Sequence, residues 1–110
     1  MPIPEVTPES LLQRLEADDA SRPVLLDVRT HGEHQLVALS DAILIPLHEL
    51  ADRLDELDDV RDREIVVYCH HGVRSLSGAA ILNASGFRAV SLRGGIDLYA
   101  IAVDPNLPRY

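Results

Sequence analysis

The segment Ile65-Val66-Val67-Tyr68-Cys69-His70-His71-Gly72-Val73-Arg74-Ser75 predicts a buried strand, a tight loop and the start of a helix in direct succession. Its first four residues are apolar and mostly β-branched, as in strands that are covered on both faces. Gly72 is typical of a tight turn, and the pattern from Arg74 to Ala84 predicts a helix that ends at Ser85-Gly86. The one cysteine of the chain is therefore predicted where a strand ends and a loop opens a helix.

Similar apolar runs and helical patterns alternate along the rest of the chain. Further strands are predicted at residues 24–28, 42–45 and 89–92. Further helices are predicted from residue 8, capped by Thr7, to about residue 17, from about residue 48 to residue 57, and after Gly94-Gly95. This alternation predicts an α/β fold with a central, mainly parallel sheet of about five short strands, flanked by helices on both faces. In such sheets, functional sites lie at the carboxyl ends of the strands.

The length and composition fit one compact domain over residues 1–110. Hydrophobic residues make up 46% of the chain, and a single cysteine supplies no intrachain disulfide. The first residues lack the pattern of a secretion signal, and no apolar run approaches the roughly 18 residues of a membrane span. We therefore expect a cytoplasmic protein with a reduced thiol and no contact with membranes.

The charge of the chain is acidic and unevenly distributed. Ten arginines, no lysine and 18 acidic residues give a formal net charge of −8, which argues against nucleic-acid binding. Residues 1–64 carry a net charge of −10, whereas residues 65–110, which include Cys69, carry a net charge of +2. One group of acids forms either a solvated surface or a docking face for a basic partner. This group consists of Asp52, Asp55, Glu56, Asp58, Asp59 and Asp62.

Cys69 is either a small buried side chain, as most free cysteines are, or a nucleophile. Its position before a helix favours the nucleophile, because a loop that feeds a helix N-terminus points several backbone N–H groups inward and attracts an anion. A thiolate is such an anion and is the reactive form of cysteine. Gly72 allows the backbone angles of such a loop, and the Arg74 guanidinium either flanks the anion or braces the loop.

Several segments resemble signatures of the rhodanese superfamily of sulfurtransferases. The residues from Cys69 to Ser75 resemble the active-site loop of that family. Other resemblances are Leu25-Leu26-Asp27-Val28-Arg29 followed by Glu33 and His34 (the first signature), residues 42–46 (a strand ending in Ile-Pro) and Leu92-Arg93-Gly94-Gly95-Ile96 (the Gly-Gly signature). The ending, residues 103–110, resembles rhodanese domains found alone or fused behind enzymes that adenylate sulfur-carrier proteins, and we expect it to be an extended surface segment.

The resemblance implies a rhodanese-like fold and a sulfurtransferase that needs no metal or organic cofactor. In the implied mechanism, Cys69 takes the sulfane sulfur of a small anionic donor such as thiosulfate, releases sulfite and becomes a persulfide. Cyanide, a thiol or a sulfur-carrier protein then accepts the sulfur. The implied binding loop, whose N–H groups hold the persulfide, consists of His70, His71, Gly72, Val73, Arg74 and Ser75.

The number of residues in the cysteine loop distinguishes sulfur transfer from phosphatase or arsenate reductase activity in the family that the chain resembles. Cys69 through Arg74 are six residues. The resemblance implies sulfur transfer for this length, whereas a loop longer by a single residue implies a phosphatase or an arsenate reductase. A third hypothesis is a binding or regulatory module without turnover, although inactive relatives usually lack the cysteine that this chain keeps.

Four charged residues are expected to support the loop: Asp27, Arg29, Glu33 and Arg93. Asp27 and Arg29 end a predicted strand at the same sheet edge as Cys69. We expect Arg29 to pair with Glu33, and Asp27 to accept hydrogen bonds from N–H groups of the loop. Arg93 and Gly94-Gly95 are expected to line the same mouth.

The two histidines of the loop allow two interpretations. His70 and His71 either attract an anionic donor, or their side chains point to solvent and only their backbone groups matter. His31, His34 and His48 do not complete a zinc pattern with them, so no metal site is predicted.

The chain departs from the family at three positions outside the loop. Ala38, Asp41 and Tyr99 stand where the family usually has histidine, glycine and tryptophan. We expect these departures to alter the pocket rim and the substrate preference rather than the chemistry of the thiol.

Overall fold

The chain forms a five-stranded sheet surrounded by helices in the computed structural model, which describes residues 2–17 and 22–110. Met1 and residues 18–21 lie outside the described residues, and one domain over residues 1–110 stays a prediction. The strands are β1 (Glu5–Val6), β2 (Val24–Asp27), β3 (Ile43–Leu44), β4 (Glu64–Tyr68) and β5 (Arg88–Leu92). The α-helices are α1 (Pro8–Leu15), α2 (His31–Leu36), α3 (Leu47–Leu50), α4 (Arg74–Ala84) and α5 (Gly95–Ala102). None of the helices within these ranges has both the length and the apolar character needed to cross a membrane.

β4 lies at the centre of the sheet, whose strand order is β1-β5-β4-β2-β3, and every neighbouring pair is parallel. Asp27 lies opposite Tyr68 across the β2–β4 pair, and Val67 lies opposite Ser91 across the β4–β5 pair. Because parallel strands end at the same edge, the residues that follow β2, β4 and β5 come together there. The predicted α/β fold with a central parallel sheet is confirmed.

Both faces of the sheet are buried against helices. Ile65 and Val67 of β4 belong to one hydrophobic core, together with Leu82 of α4. Val66 of the same strand belongs to a second core, together with Leu11 of α1. Side chains of a strand point alternately to its two faces, so a strand covered on both faces is apolar throughout. The prediction of helices on both faces is confirmed.

The structure contains two elements that the apolar patterns do not predict. β1 is two residues long, too short for a pattern. α2 has no buried residue and therefore no apolar periodicity. Its signal is a capping box: the Thr30 hydroxyl accepts the Glu33 backbone N–H at 3.2 Å, and the Glu33 carboxylate accepts the Thr30 backbone N–H at 3.1 Å.

The prediction of one helix from about residue 48 to residue 57 is wrong. The segment forms the four-residue α3 and then a separate 3-10 helix, Leu54–Val60. The break falls at Arg53, whose guanidinium pairs with Glu49 at 3.0 Å and with Glu56 at 2.7 Å. Leucines on both sides of the break still enter the same core, so their spacing does not distinguish one helix from two short ones. The other predicted elements are present, with ends shifted by at most two residues.

α5 fixes the loop that follows β4. The backbone N–H groups of Ile96 and Asp97 donate to the carbonyl oxygens of Cys69 at 2.9 Å and His70 at 3.1 Å. Gly95, at the start of α5, has a φ of +65°, and a Cβ at this position would overlap the same two carbonyl oxygens. Glycine therefore allows α5 to approach the loop this closely.

We predict that Gly95→Ala lowers the free energy of unfolding by about 2 kcal/mol or more, because alanine is strained at positive φ and its Cβ meets backbone atoms. Gly32→Ala is the control, since an added Cβ at this position in α2 meets nothing within 4 Å. Alanine there is expected to raise the free energy of unfolding by about 0.5–1 kcal/mol. Urea unfolding followed by circular dichroism measures both variants. Wild-type stability of Gly95→Ala would contradict the account of this contact.

Candidate active site

The sulfur of Cys69 is the hydrogen-bond acceptor around which the loop is built. Cys69 follows β4 directly and is 1% exposed. Its Sγ accepts hydrogen bonds from the backbone N–H groups of Gly72 at 3.1 Å and Ser75 at 3.4 Å. The hydroxyl oxygen of Ser75 lies 3.5 Å from the same sulfur. Two backbone N–H groups and one hydroxyl therefore converge on this sulfur.

The sulfur also completes the start of α4. The first N–H groups of a helix have no partner within the helix and usually bond to a polar side chain just before it. Val73 occupies that position here and has no polar side-chain atom, and the Ser75 N–H donates to the Cys69 sulfur instead. The positive end of the dipole of this 11-residue helix therefore faces the sulfur.

Ser91 is a site residue that sequence reasoning missed. It lies on β5, is fully buried, and its hydroxyl is 2.7 Å from the hydroxyl of Ser75. When Ser91 donates to Ser75, the Ser75 hydroxyl hydrogen is available to the sulfur. The sequence does mark Ser91 in one way: its side chain is polar, whereas its neighbours Val90 and Leu92 in the predicted strand are apolar.

Gly72 gives the loop its close contact with the next part of the chain. Its φ is +92°, and an added Cβ would lie 2.9 Å from the backbone nitrogen of Gly94. Both facts restrict this position to glycine. The conformation at Gly72 also aims its own N–H at the Cys69 sulfur.

Arg74 braces the loop through an ion pair with Glu33 of α2. Its two terminal nitrogens lie 2.7 Å and 2.9 Å from the two carboxylate oxygens of Glu33. The hydrogen bonds from Arg74 hold the pKa of Glu33 well below its usual range, although partial burial opposes this. The expectation that Glu33 pairs with Arg29 is wrong, because the carboxylate reaches across to the start of α4.

Asp27 and Arg29 form a buried ion pair at the end of β2. Both side chains are fully buried, and two hydrogen bonds of 2.9 Å and 2.7 Å join them. Asp27 also accepts the Arg29 backbone N–H at 2.9 Å and contacts Nδ1 of His34 at 2.7 Å. The expectation that Asp27 accepts N–H groups of the Cys69 loop is wrong, because these partners occupy its oxygens. The pair fixes the sheet edge beside the loop.

His70 and His71 differ in exposure and partners. The His70 ring lies 4.0 Å, centroid to centroid, from the rings of both His71 and Tyr110. Burial, together with the nearby His71, lowers the pKa of His70, so this ring is neutral near pH 7. The His71 side chain is 65% exposed, and its Nε2 lies 3.5 Å from Asp97. His71 is thus the ring that faces solvent beside the loop.

Among the described residues, one group could hold a metal ion: His70, His71 and Asp97. Each of them offers one ligand atom, and these atoms lie within 4.8 Å of one another. Two of them are already engaged by the protein: Arg109 binds Asp97 at 2.8 Å, and Tyr110 packs against His70. A cation at Asp97 would also meet the positive charge of Arg109. The absence of a metal site stays a prediction.

The remaining loop and support residues point outward or away from the sulfur. Val73, in the loop, is 73% exposed. Arg93 contacts Glu5 of the edge strand β1 at 3.4 Å, so the structure does not bring its guanidinium to the Cys69 loop as expected. The backbone of Gly94-Gly95, in contrast, packs directly on the loop.

Tyr110 is the second residue that sequence reasoning missed. The ending, residues 103–110, is predicted to be an extended surface segment, and none of its residues is buried. The Tyr110 hydroxyl nevertheless forms hydrogen bonds with Arg29 at 2.9 Å and Glu33 at 2.7 Å, two residues that belong to the supports of the loop. These partners are separated from Tyr110 by 81 and 77 positions, so no local pattern pointed to the contact.

Comparisons with known proteins agree with this fold. The family model described as Rhodanese-like domain matches residues 7–102. A sulfurtransferase from Allochromatium vinosum is 38% identical over 97 residues, which cover 87% of this chain and 87% of that protein.

Solved structures give the same assignment. The crystal structure of a rhodanese-like domain protein from Staphylococcus aureus matches with a TM-score of 0.83 and 26% identity, over 98% of this chain and 99% of that one. A thiosulfate sulfurtransferase from Pseudomonas aeruginosa matches with a TM-score of 0.81 and 27% identity, over 97% of this chain but 20% of that one. These matches support a sulfurtransferase of the rhodanese type. From its sequence, its sheet and its cysteine loop, the chain belongs to the rhodanese-like family.

Proposed function

We propose that this chain moves a sulfane sulfur from a small anionic donor, such as thiosulfate, to a thiophilic acceptor through a persulfide on Cys69. The observation that carries the proposal is the convergence of the Gly72 and Ser75 N–H groups on the Cys69 sulfur at the start of α4. This arrangement stabilises a sulfur anion, which is what both the attacking thiolate and the resulting persulfide are.

In the first step, the thiolate of Cys69 attacks the outer sulfur of thiosulfate. A sulfur–sulfur bond forms at Cys69, the bond between the two donor sulfurs breaks, and its electron pair leaves with sulfite. The terminal sulfur of the persulfide keeps the negative charge. The N–H groups of Gly72 and Ser75 and the Ser75 hydroxyl are the groups positioned to donate to it.

In the second step, cyanide, a small thiol or a thiol-containing sulfur-carrier protein attacks the terminal sulfur. The new bond forms to the acceptor, and the bond to Cys69 breaks and returns its electron pair as the thiolate. No metal or organic cofactor enters either step, and the two half-reactions predict ping-pong kinetics.

Phosphoryl chemistry is the alternative that loop length disfavours. Cys69 through Arg74 are six residues, and in this arrangement Gly72 and Ser75 already donate to the sulfur itself. The Arg74 guanidinium is held by Glu33, at 2.7 Å and 2.9 Å, rather than left free for a phosphate. We expect no Cys69-dependent hydrolysis of an aryl phosphate. Such hydrolysis would favour a phosphatase.

A binding module without turnover is the other alternative. Such a module does not require hydrogen-bond donors around the Cys69 sulfur. This alternative predicts that changes at Cys69 leave partner binding intact. The exposed acids of the 3-10 helix fit a solvated surface, since Arg53 and Arg61 already pair with Glu56 and Asp58.

We predict that incubation with thiosulfate adds about 32 Da, one sulfur atom, to the intact protein, because Cys69 retains the transferred sulfur. Intact-mass spectrometry measures the addition, and cyanide is expected to reverse it. Cys69→Ser is expected to show no addition. An unchanged wild-type mass, while Cys69 remains reduced and reacts with iodoacetamide, would exclude the proposed function with this donor.

We predict that Ser75→Ala slows sulfur loading about tenfold, the effect of losing one hydrogen bond of about 1.4 kcal/mol to a charged sulfur. Ser77→Ala is the matched control, because Ser77 lies in the same helix and is exposed. Stopped-flow measurement of sulfite release compares the two variants with the wild type. Equal rates for all three proteins would show that the Ser75 hydroxyl does not act on the sulfur.

A further inference from the structure

The end of the described chain is attached to the supports of the Cys69 loop. Arg109 pairs with Asp97 of α5 at 2.8 Å. Tyr110 follows, and its hydroxyl lies between the end of β2 and the start of α2. Arg109 and Tyr110 therefore contact α5 and α2, the two helices that hold the loop.

The Tyr110 hydroxyl satisfies two charged partners at once. It donates to Oε2 of Glu33 at 2.7 Å and accepts from Nη1 of Arg29 at 2.9 Å. A phenol has one hydrogen to give and lone pairs to accept, so one hydroxyl fits this pair of partners. Burial raises the pKa of Tyr110, which keeps the hydrogen on the oxygen.

This hydroxyl connects a rigid ion pair to a more exposed one. Arg29 is fully buried and bound to Asp27 by two hydrogen bonds. Glu33 is partly exposed and holds Arg74, the first residue of α4. The next residue along the helix is Ser75, whose N–H donates to the Cys69 sulfur. Through Tyr110, the fixed position of Arg29 therefore restrains Glu33, Arg74 and the start of the helix.

The ring of Tyr110 acts on the other side of the loop. It lies 4.0 Å from the ring of His70, the residue directly after Cys69. The hydroxyl thus restrains the end of the loop, and the ring restrains its beginning.

We propose that Tyr110 is a positioning residue of the Cys69 loop, which keeps the loop N–H groups aimed at the sulfur by restraining Glu33–Arg74 and His70. The proposal deepens the proposed function and assumes that Cys69 reacts as a thiolate. Tyr110 acts through these neighbours and has no assigned contact with the donor. Its removal is therefore expected to weaken stabilisation of the sulfur anion rather than binding of the donor.

The test compares Tyr110→Phe, which keeps the ring and removes the hydroxyl, with Tyr110→Ala, which removes both. Ser77→Ala is the control, since it also removes one hydroxyl, from an exposed residue of α4. The first measurement is the rate of Cys69 alkylation by iodoacetamide as a function of pH, which does not depend on sulfur transfer. The second is the kcat and KM for thiosulfate.

We expect the alkylation profile of Tyr110→Phe to move to higher pH, because misaligned donors stabilise the thiolate less. We expect its kcat to fall about fivefold to tenfold while KM stays within about twofold, the effect of losing one hydrogen bond to a charged group. Tyr110→Ala is expected to show larger effects of the same kind, and Ser77→Ala none. In a Glu33→Gln background, Tyr110→Phe is expected to add little, because the two changes interrupt the same chain of contacts.

A Tyr110→Phe variant with the alkylation profile and kcat of the wild type would overturn the proposal. The proposal would also be overturned if Tyr110→Phe lowered the thermal stability but changed neither the alkylation profile nor kcat, since Tyr110 would then be structural only. Failure of the proposed function has a different signature: the wild type takes no sulfur from thiosulfate. The alkylation profile then still decides the role of Tyr110.

Discussion

The hydrogen bonds that the Cys69 sulfur accepts at the start of α4 are the interaction on which the rest of the site depends. A helix needs an acceptor for its first N–H groups, and here the sulfur takes that role in place of a polar side chain before the helix. The same bonds that complete the helix therefore stabilise negative charge on the sulfur. The start of α4 and the surroundings of the sulfur therefore depend on the same hydrogen bonds. Gly72 and Gly95 serve this arrangement by allowing the loop and α5 to come into direct backbone contact.

The acidic character of the chain does not extend to the sulfur, because local pairing neutralises the acids around it. Asp27 is bound by Arg29, Glu33 by Arg74, and Asp97 by Arg109. A net charge of −8 over the chain would by itself repel an anionic donor, but screening limits that effect to short range. The surroundings of the loop are a set of paired charges, the exposed His71 and backbone N–H groups. Two of the ion pairs have a second effect. Glu33–Arg74 joins α2 to the start of α4, and Asp97–Arg109 joins α5 to the segment that follows it.

The sequence indicates the parts of the site that are close together in the chain and not those that are far apart. A strand, a loop and a helix occur in succession around Cys69, so residue order alone places the sulfur before a helix N-terminus. The pairing of Glu33 with Arg74 spans 41 positions, and nothing in the local pattern favours it over a pairing with Arg29, four positions away. Arg29 is taken instead by Asp27, because a buried guanidinium needs a buried partner. α2 is not predicted for another reason. Its capping box, Thr30 and Glu33, is present in the sequence, but its exposed side chains show no apolar periodicity.

We propose that the loop is a cradle for a charged sulfur carried by Cys69. The most direct test is a crystal structure of the protein after treatment with thiosulfate. We expect one additional sulfur atom bonded to Sγ of Cys69, with backbone N–H groups of the loop directed at it. An unmodified cysteine in crystals of protein that has released sulfite, or an added sulfur that points away from these N–H groups, would contradict it.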